Sequence, residues 1–292
     1  MSRLILVIMA IGVAGGTLRA QGALSPHQYM LEGVVTHHGN TGAVSADYGI
    51  PLYQAVTAIG QEYGWAIQYE DPPFSGKHDL IDLTNPAYRS AHPGTEVRLG
   101  PAGGPFKSTY PESPSMWTSP RMEPEVLEKV VSDYNQSGNP GHFTVRGLSD
   151  GTFDVIGDGL HDDSGADVPS QPVLDTRITV PLATRNGNDA LQAVLDTLSS
   201  RIGIKMYVYQ APDHELSLVS TKVGGANVPA RDLLMQIVNC LSRPHVWVFH
   251  YIPQPRQYVL GIFPVARAEY GGFGQKRLIP VGPPRITSPA GP

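Results

Sequence analysis

The densest chemistry in the sequence sits in one octapeptide, GKHDLIDL, which places His78, Asp79 and Asp82 a few positions after Glu70 and Asp71. A histidine beside carboxylates is the pattern of a general base or a metal ligand, because imidazole changes charge near neutral pH and an acid can orient its ring. With His37, His78 and His92 as nitrogen ligands, the enzymatic reading is a metal-dependent hydrolase using His78, Asp79 and Asp82. The competing reading is a solvated turn at the start of a loop, since no third ligand follows at a fixed spacing. The acidic run Asp158, Asp162, Asp163 and Asp167 offers oxygens to Ca²⁺ but lacks the terminal glutamate of a calcium loop, which favours a solvated linker. There is no glycine-rich phosphate loop, no H-E-x-x-H and no paired Cys-x-x-Cys, so no cofactor or metal is expected and the chain is expected to be non-catalytic. The single thiol, Cys240, falls on the apolar stripe of an expected helix, where a buried structural role outweighs a nucleophilic one.

Two repeated stretches must position whatever the chain carries. In NDALQAVLDTLSSRIGIKMYVY, residues Leu191, Val194, Leu195, Leu198 and Ile202 lie on one helical stripe. Gly203 ends that helix, and Ile204, Met206 and Val208 then alternate as in a strand. PLYQAVTAIGQEYGWAIQY, residues 51–69, repeats the pattern with Leu52, Ala55, Val56, Ile59, Gly64 and Trp65 in matching places. The second helices repeat as well. Val126, Leu127, Val130, Val131 and Tyr134 match Leu233, Leu234, Ile237, Val238 and Leu241 at a constant offset. Asp150-Gly151 joins expected strands at 142–148 and 152–156, and a closing hairpin is expected over 246–252 and 258–263. Further strands are expected at 29–35, 176–182 and 216–223, with His37 and His38 opening a polar loop.

Residues 74–121 break the pattern with a stretch rich in Pro, Gly and Ser, read as an insertion with short strands at 96–99 and 106–110. Its Met116 and Trp117 are candidates for meeting a partner or for packing back onto the domain. Residues 158–171 read as a linker, and 266–292 as a flexible tail too rich in Pro and Gly to fold alone.

The net charge of −5 becomes −7 once Arg3 and Arg19 leave with residues 1–20, whose basic, apolar and small-residue order is that of a signal peptide cleaved after Ala20. The mature chain is therefore expected to be periplasmic or secreted, with no membrane span. The acidic balance without basic clusters argues against a nucleic-acid partner.

The whole is read as α+β, two tandem two-layer α/β sandwich modules at 24–157 and 172–265, each a small mixed sheet with two helices on one face. The stretches ITVPLATRNGNDALQAVLDTLSSRIGIKMYV and LSLVSTKVGGANVPARDLLMQIVNCL resemble the short N-terminal domain of secretins and TonB-dependent receptors, over most of 172–264 and in part over 44–71 and 122–157. The first half is also similar to exported bacterial proteins of unknown function that pair a YEDPP strand end with a GNPGHF helix exit. The first resemblance implies a non-catalytic envelope part acting through protein contacts, with glycan contacts and a homo-oligomer among the arrangements open to it. The second brings no activity.

Overall fold

The computed structural model describes residues 33–94, 97–114, 116, 124–148, 152–272 and 275–282. The first half begins with β1 (Val34–His38), β2 (Thr41–Ala46), α1 (Pro51–Tyr63) and β3 (Ile67–Glu70). Next come β4 (Leu80–Asp82), α2 (Pro86–Ala91), β5 (Leu99–Pro101), β6 (Phe106–Pro111), α3 (Pro124–Asn135), β7 (His142–Gly147), β8 (Phe153–His161) and β9 (Asp167–Pro169). The second half runs β10 (Arg177–Asn186), α4 (Gly187–Ile202), β11 (Lys205–Gln210), α5 (Asp213–Leu218), β12 (Ser220–Pro229), α6 (Ala230–Val238), β13 (His245–Ile252) and β14 (Gln257–Pro264). A hairpin of β15 (Ala266–Tyr270) and β16 (Lys276–Pro280) follows. The fold is α+β. Among the described residues no helix is long and apolar enough to cross a membrane.

The halves share one pairing scheme. β2 lies antiparallel to β6 as β10 does to β12; β3 is parallel to β8 as β11 is to β14; β7–β8 and β13–β14 are antiparallel hairpins. The expected single sheet per half is split, because β10–β12 and β1–β2–β6 stand apart from the larger sheet. Register shifts in β10 at Ile178/Val180 and Val180/Ala183 are of the kind that twist a strand pair away from its neighbours. What remains of both halves merges into a seven-stranded sheet ordered β11-β14-β13-β3-β8-β7, with β9 against β8. The join is parallel, with Val248 opposite Tyr69 and Phe249 opposite Glu70, and Asp71 N–H donates to the Phe249 carbonyl at 2.9 Å. The apolar core is likewise continuous across the halves, from Leu52 and Leu127 to Leu198 and Trp247.

The helix stops follow from backbone chemistry. Gly64 and Gly203 both take φ of +72°, and their N–H groups return to Gly60 O and Ser199 O. A Cβ on Gly203 meets nothing, so Gly203→Ala isolates the conformational cost: a loss of about 1–2 kcal/mol is expected in urea unfolding with unchanged slope.

Five expectations are corrected. Residues 158–171 are not a linker, since β8 continues to His161 and β9 pairs back onto it, Gly159 opposite Pro169 and His161 opposite Asp167. Asp162 closes that turn by accepting from Ser164 N–H, Ser164 Oγ and Ala166 N–H, a side-chain turn with no apolar period to reveal it. Residues 266–280 are not a tail but a hairpin docked on α1, with Tyr270 donating to Glu62 at 2.8 Å and Lys276 to Gln61 at 2.7 Å. His37 and His38 end strand β1 rather than opening a loop. Leu216 lies on α5, whose first turn carries Asp213 and Glu215 at the end that favours acids. In the 74–121 insertion, the expected strand at 106–110 is β6, paired along β2, but the strand expected at 96–99 begins only at Leu99.

Candidate functional site

The structure gives His78, Asp79 and Asp82 three separate tasks. Asp79 is fully buried; its Oδ1 accepts from His161 Nδ1 at 2.6 Å and Gly141 N–H at 3.1 Å, and its Oδ2 accepts from His161 N–H at 2.8 Å. It clamps the insertion to β8, and both oxygens are taken. The His78 ring lies against Gly165, and Asp82 pairs with Arg89 and accepts Thr84 N–H at 2.8 Å. His37 sits between Glu112 at 2.8 Å and Glu62 at 3.2 Å, while His92 stacks on Tyr88 with centroids 4.3 Å apart. His37, His78 and His92 therefore do not form a shared ligand set. Among the described residues no three His, Cys, Asp or Glu side chains converge on a metal-sized site.

The acidic run is spent on local order. Asp158 bonds His142 at 2.7 Å, Asp163 accepts Lys77 N–H at 3.0 Å, and Asp167 stands 3.2 Å from His161. The Ser164 hydroxyl and neighbouring amides hold the Asp162 carboxyl below the usual range. Cys240 is half-buried, its thiol directed at Gln236 O and Thr221 Oγ1. Met116 is fully buried, so of its two readings packing is the one realised, and Trp117 lies outside the described residues. Gly147-Leu148-Ser149-Asp150-Gly151 spells G-x-S-x-G between strands β7 and β8 rather than between a strand and a helix, and its Ser149, Asp150 and Gly151 lie outside the described residues.

The strongest electrostatic feature lies away from these residues. Arg231, at the start of α6, donates through Nη2 to Glu70, through Nη1 to Asp154 at 3.1 Å and through Nε to Asp175 at 2.9 Å. Its guanidinium carbon stands 5.2 Å from the centroid of the Trp247 ring. Burial raises the Glu70 carboxyl against the pull of Arg231, and pushes Asp154 up to about 6. At Asp175 burial is outweighed by hydrogen bonds from Arg231 and Arg146, which hold it below the usual range. Glu70 and Asp154 belong to the first half and Arg231 to the second, so this node fastens the halves together.

A cavity of about 370 Å³ opens beside the same junction, lined by Tyr53, Leu83, Leu99, Tyr209 and Tyr251 around an Asp71–His250 pair. Asp71 Oδ2 accepts from His250 Nδ1 at 2.9 Å and from Tyr251 N–H at 3.1 Å, and Tyr53 stands edge-on to His250 at 4.4 Å. Apart from Asp71, His250, Arg98 and Gln254 the lining is apolar or aromatic, which suits a small apolar body.

A second concavity, about 560 Å³ and largely polar, runs between α3 and the edge strand β7, with Glu128, Ser132, Asn135, His142 and Thr144 on its walls. At the opposite end of the sheet β11 presents Tyr207 and Tyr209, 47% and 40% exposed. In comparisons with known proteins, no family model, no curated protein and no solved structure matches this chain.

Proposed function

We propose that this chain is an exported, non-catalytic protein of the cell envelope that works through protein contacts, each half arranged like the short N-terminal domain of secretins and TonB-dependent receptors. The observation that carries the reading is the pair of outer strands, β7 and β11, at the two ends of one sheet. An outer strand offers unpaired backbone groups, and adding a partner strand satisfies them at little cost in reorganisation. The repeated pairing scheme supports the resemblance, because it follows the order of strand, helix, strand, strand, helix and closing strand that the resemblance implies. The order of residues 1–20 supports export. The metal-dependent hydrolase alternative would need Asp79 as an acid, base or ligand, and that carboxylate already accepts three hydrogen bonds.

The test is a photo-crosslinking residue placed at position 145 or 207 of the full chain in envelope extracts. Capture of a defined polypeptide from either position, undiminished by chelator and absent from a control at the exposed Gly94, is expected. No capture, together with stoichiometric bound metal that a His78→Ala variant loses, would overturn the reading.

A further inference from the structure

The two halves can be laid on one another position by position through their ladders. Tyr69 pairs Val155 as Val208 pairs Leu260, and Val145 pairs Val155 as Phe249 pairs Leu260. Val145 and Thr144 thus hold the places of Phe249 and Val248, and Val208 holds that of Tyr69; β11 then bulges at Tyr209, with Gln210 opposite Gly261 where β3 has Glu70 opposite Ile156. In the middle of the molecule Val248 and Phe249 are paired with Tyr69 and Glu70, which forms the β13–β3 join. At the two ends of the sheet the counterpart strands, β7 and β11, have no further strand beyond them among the described residues.

We infer that a second copy of the chain fills this place: β11 of one copy lies parallel to β7 of the next, with Thr144 opposite Val208 and Val145 opposite the bulge at Tyr209 and Gln210. This rests on the protein-contact reading above and names the partner as the chain itself.

The backbone of β7 is set for it. Leu148 N–H bonds Thr152 O at 2.9 Å, and the ladder continues through Arg146 with Asp154 and Thr144 with Ile156, so the amide and carbonyl of Val145 point away from β8. The carbonyl of Phe249, counterpart of Val145, is the one that accepts Asp71 N–H inside the molecule. Asn135 closes the ladder one step further on by bonding both Phe143 N–H and Phe143 O at 3.0 and 2.8 Å, which leaves a short contact like the internal one.

The side chains agree with the backbone. Inside the molecule β3 lies between β13 and α6, where Gln68 bonds Met235 and Glu70 meets Arg231. The matching groove between β7 and α3 is the polar concavity described above. By the helix correspondence Glu128 stands where Met235 stands, and by the strand correspondence Tyr207 stands where Gln68 stands. A phenol donor with Lys205 two residues before it would therefore enter a groove whose walls include Glu128 and Asp167. The same chain thus carries both a groove and a strand that match in charge and, as far as the bulge in β11, in register. The contact is heterologous, each copy offering one strand and one groove, so growth need not stop at two copies. Unlike the internal join, it must offset lost translational freedom, so it is weak and concentration-dependent.

The test uses two variants of the full chain. Val145→Pro removes the outward amide at an edge position that tolerates proline, and Tyr207→Glu sets a like charge against Glu128 at an exposed site. Tyr207→Glu should melt like the parent, and Val145→Pro, which loses a side chain packed against the core, should melt at a lower temperature while staying folded. In sedimentation velocity the parent's mean mass is expected to rise with concentration past that of a dimer, and each variant alone to remain a monomer. An equimolar mixture is expected to form a one-to-one dimer and nothing larger, because each variant supplies the surface the other lacks. A parent that stays monomeric at all concentrations, a variant that assembles like the parent, or a mixture that fails to pair would each overturn the inference. If the parent is monomeric while crosslinkers at 145 or 207 still capture another polypeptide, the protein-contact reading stands and only the choice of partner fails.

Discussion

Replacing Arg231 by Met is expected to cost about 3–5 kcal/mol at neutral pH, the range for removing one partner of a buried ion pair. Arg231 is 6% exposed, and Glu70 and Asp154 are fully buried, so the substitution leaves two carboxylates out of water without their cation. Methionine keeps much of the stem's volume, so the loss reports charge rather than a cavity. The measurement is urea unfolding of the variant against the parent. A triple variant, Glu70→Gln with Asp154→Asn and Arg231→Met, should recover most of the loss, since a buried charge cluster replaced as a whole by neutral groups is often close to neutral in stability. A triple variant as unstable as the single one would mean that the loss comes from packing against Trp247.

The same node sets a pH dependence whose sign is unusual for carboxylates. Burial raises Asp154 to about 6 and also raises Glu70, so both bind protons more tightly folded than unfolded. Where the folded state holds more protons, stability falls as pH rises. The cost is therefore fully present above about 6 and relieved as pH falls towards the unfolded value of about 3.9 for an aspartate. The parent should gain stability on acidification through that window. The Arg231→Met variant should gain more, because without the guanidinium both acids rise further.

Why this node escaped a reading of the sequence is instructive. In Ile67-Gln68-Tyr69-Glu70 polar and apolar residues alternate, and that period assigns Gln68 and Glu70 to solvent. The alternation is that of a strand, and β3 is one, but its polar face is covered by α6 of the other half, through Met235 and Arg231. Only the tertiary join could reveal that. The helix stripes, the glycine stops at 64 and 203 and the closing hairpin were legible because each is a local device. The hairpin formed by β8 and β9 was not, because Gly157 and Gly159 interrupt its apolar period and a side-chain turn at Asp162 stands in for a recognisable dipeptide. The helix repeat was legible in the stripes of α1 and α4, whereas the register that matches β7 to β13 needed the ladders themselves.

Asp79→Ala is expected to destabilise by about 3–5 kcal/mol, the order set by orphaning several buried donors at about 1–3 kcal/mol each with partial relief by water. The carboxylate accepts from Gly141 N–H, His161 N–H and His161 Nδ1, and no other acceptor replaces it at those three atoms. Asp79→Asn retains one carbonyl oxygen and should cost less than Asp79→Ala. Part of the effect should be local, because the backbone of Asp79 also ties the insertion together, its carbonyl accepting Ala102 N–H at 2.8 Å and its N–H bonding Gly76 O at 3.1 Å. Hydrogen exchange should therefore quicken at Gly141, His161 and Ala102 before it does in α4 or β14. A catalytic Asp79 would behave in the opposite way: Asp79→Asn would leave stability and exchange near those of the parent while abolishing whatever reaction the chain performs. Near-parental exchange at Gly141 and His161 in Asp79→Ala would defeat the structural assignment and return His78, Asp79 and Asp82 to consideration as a site.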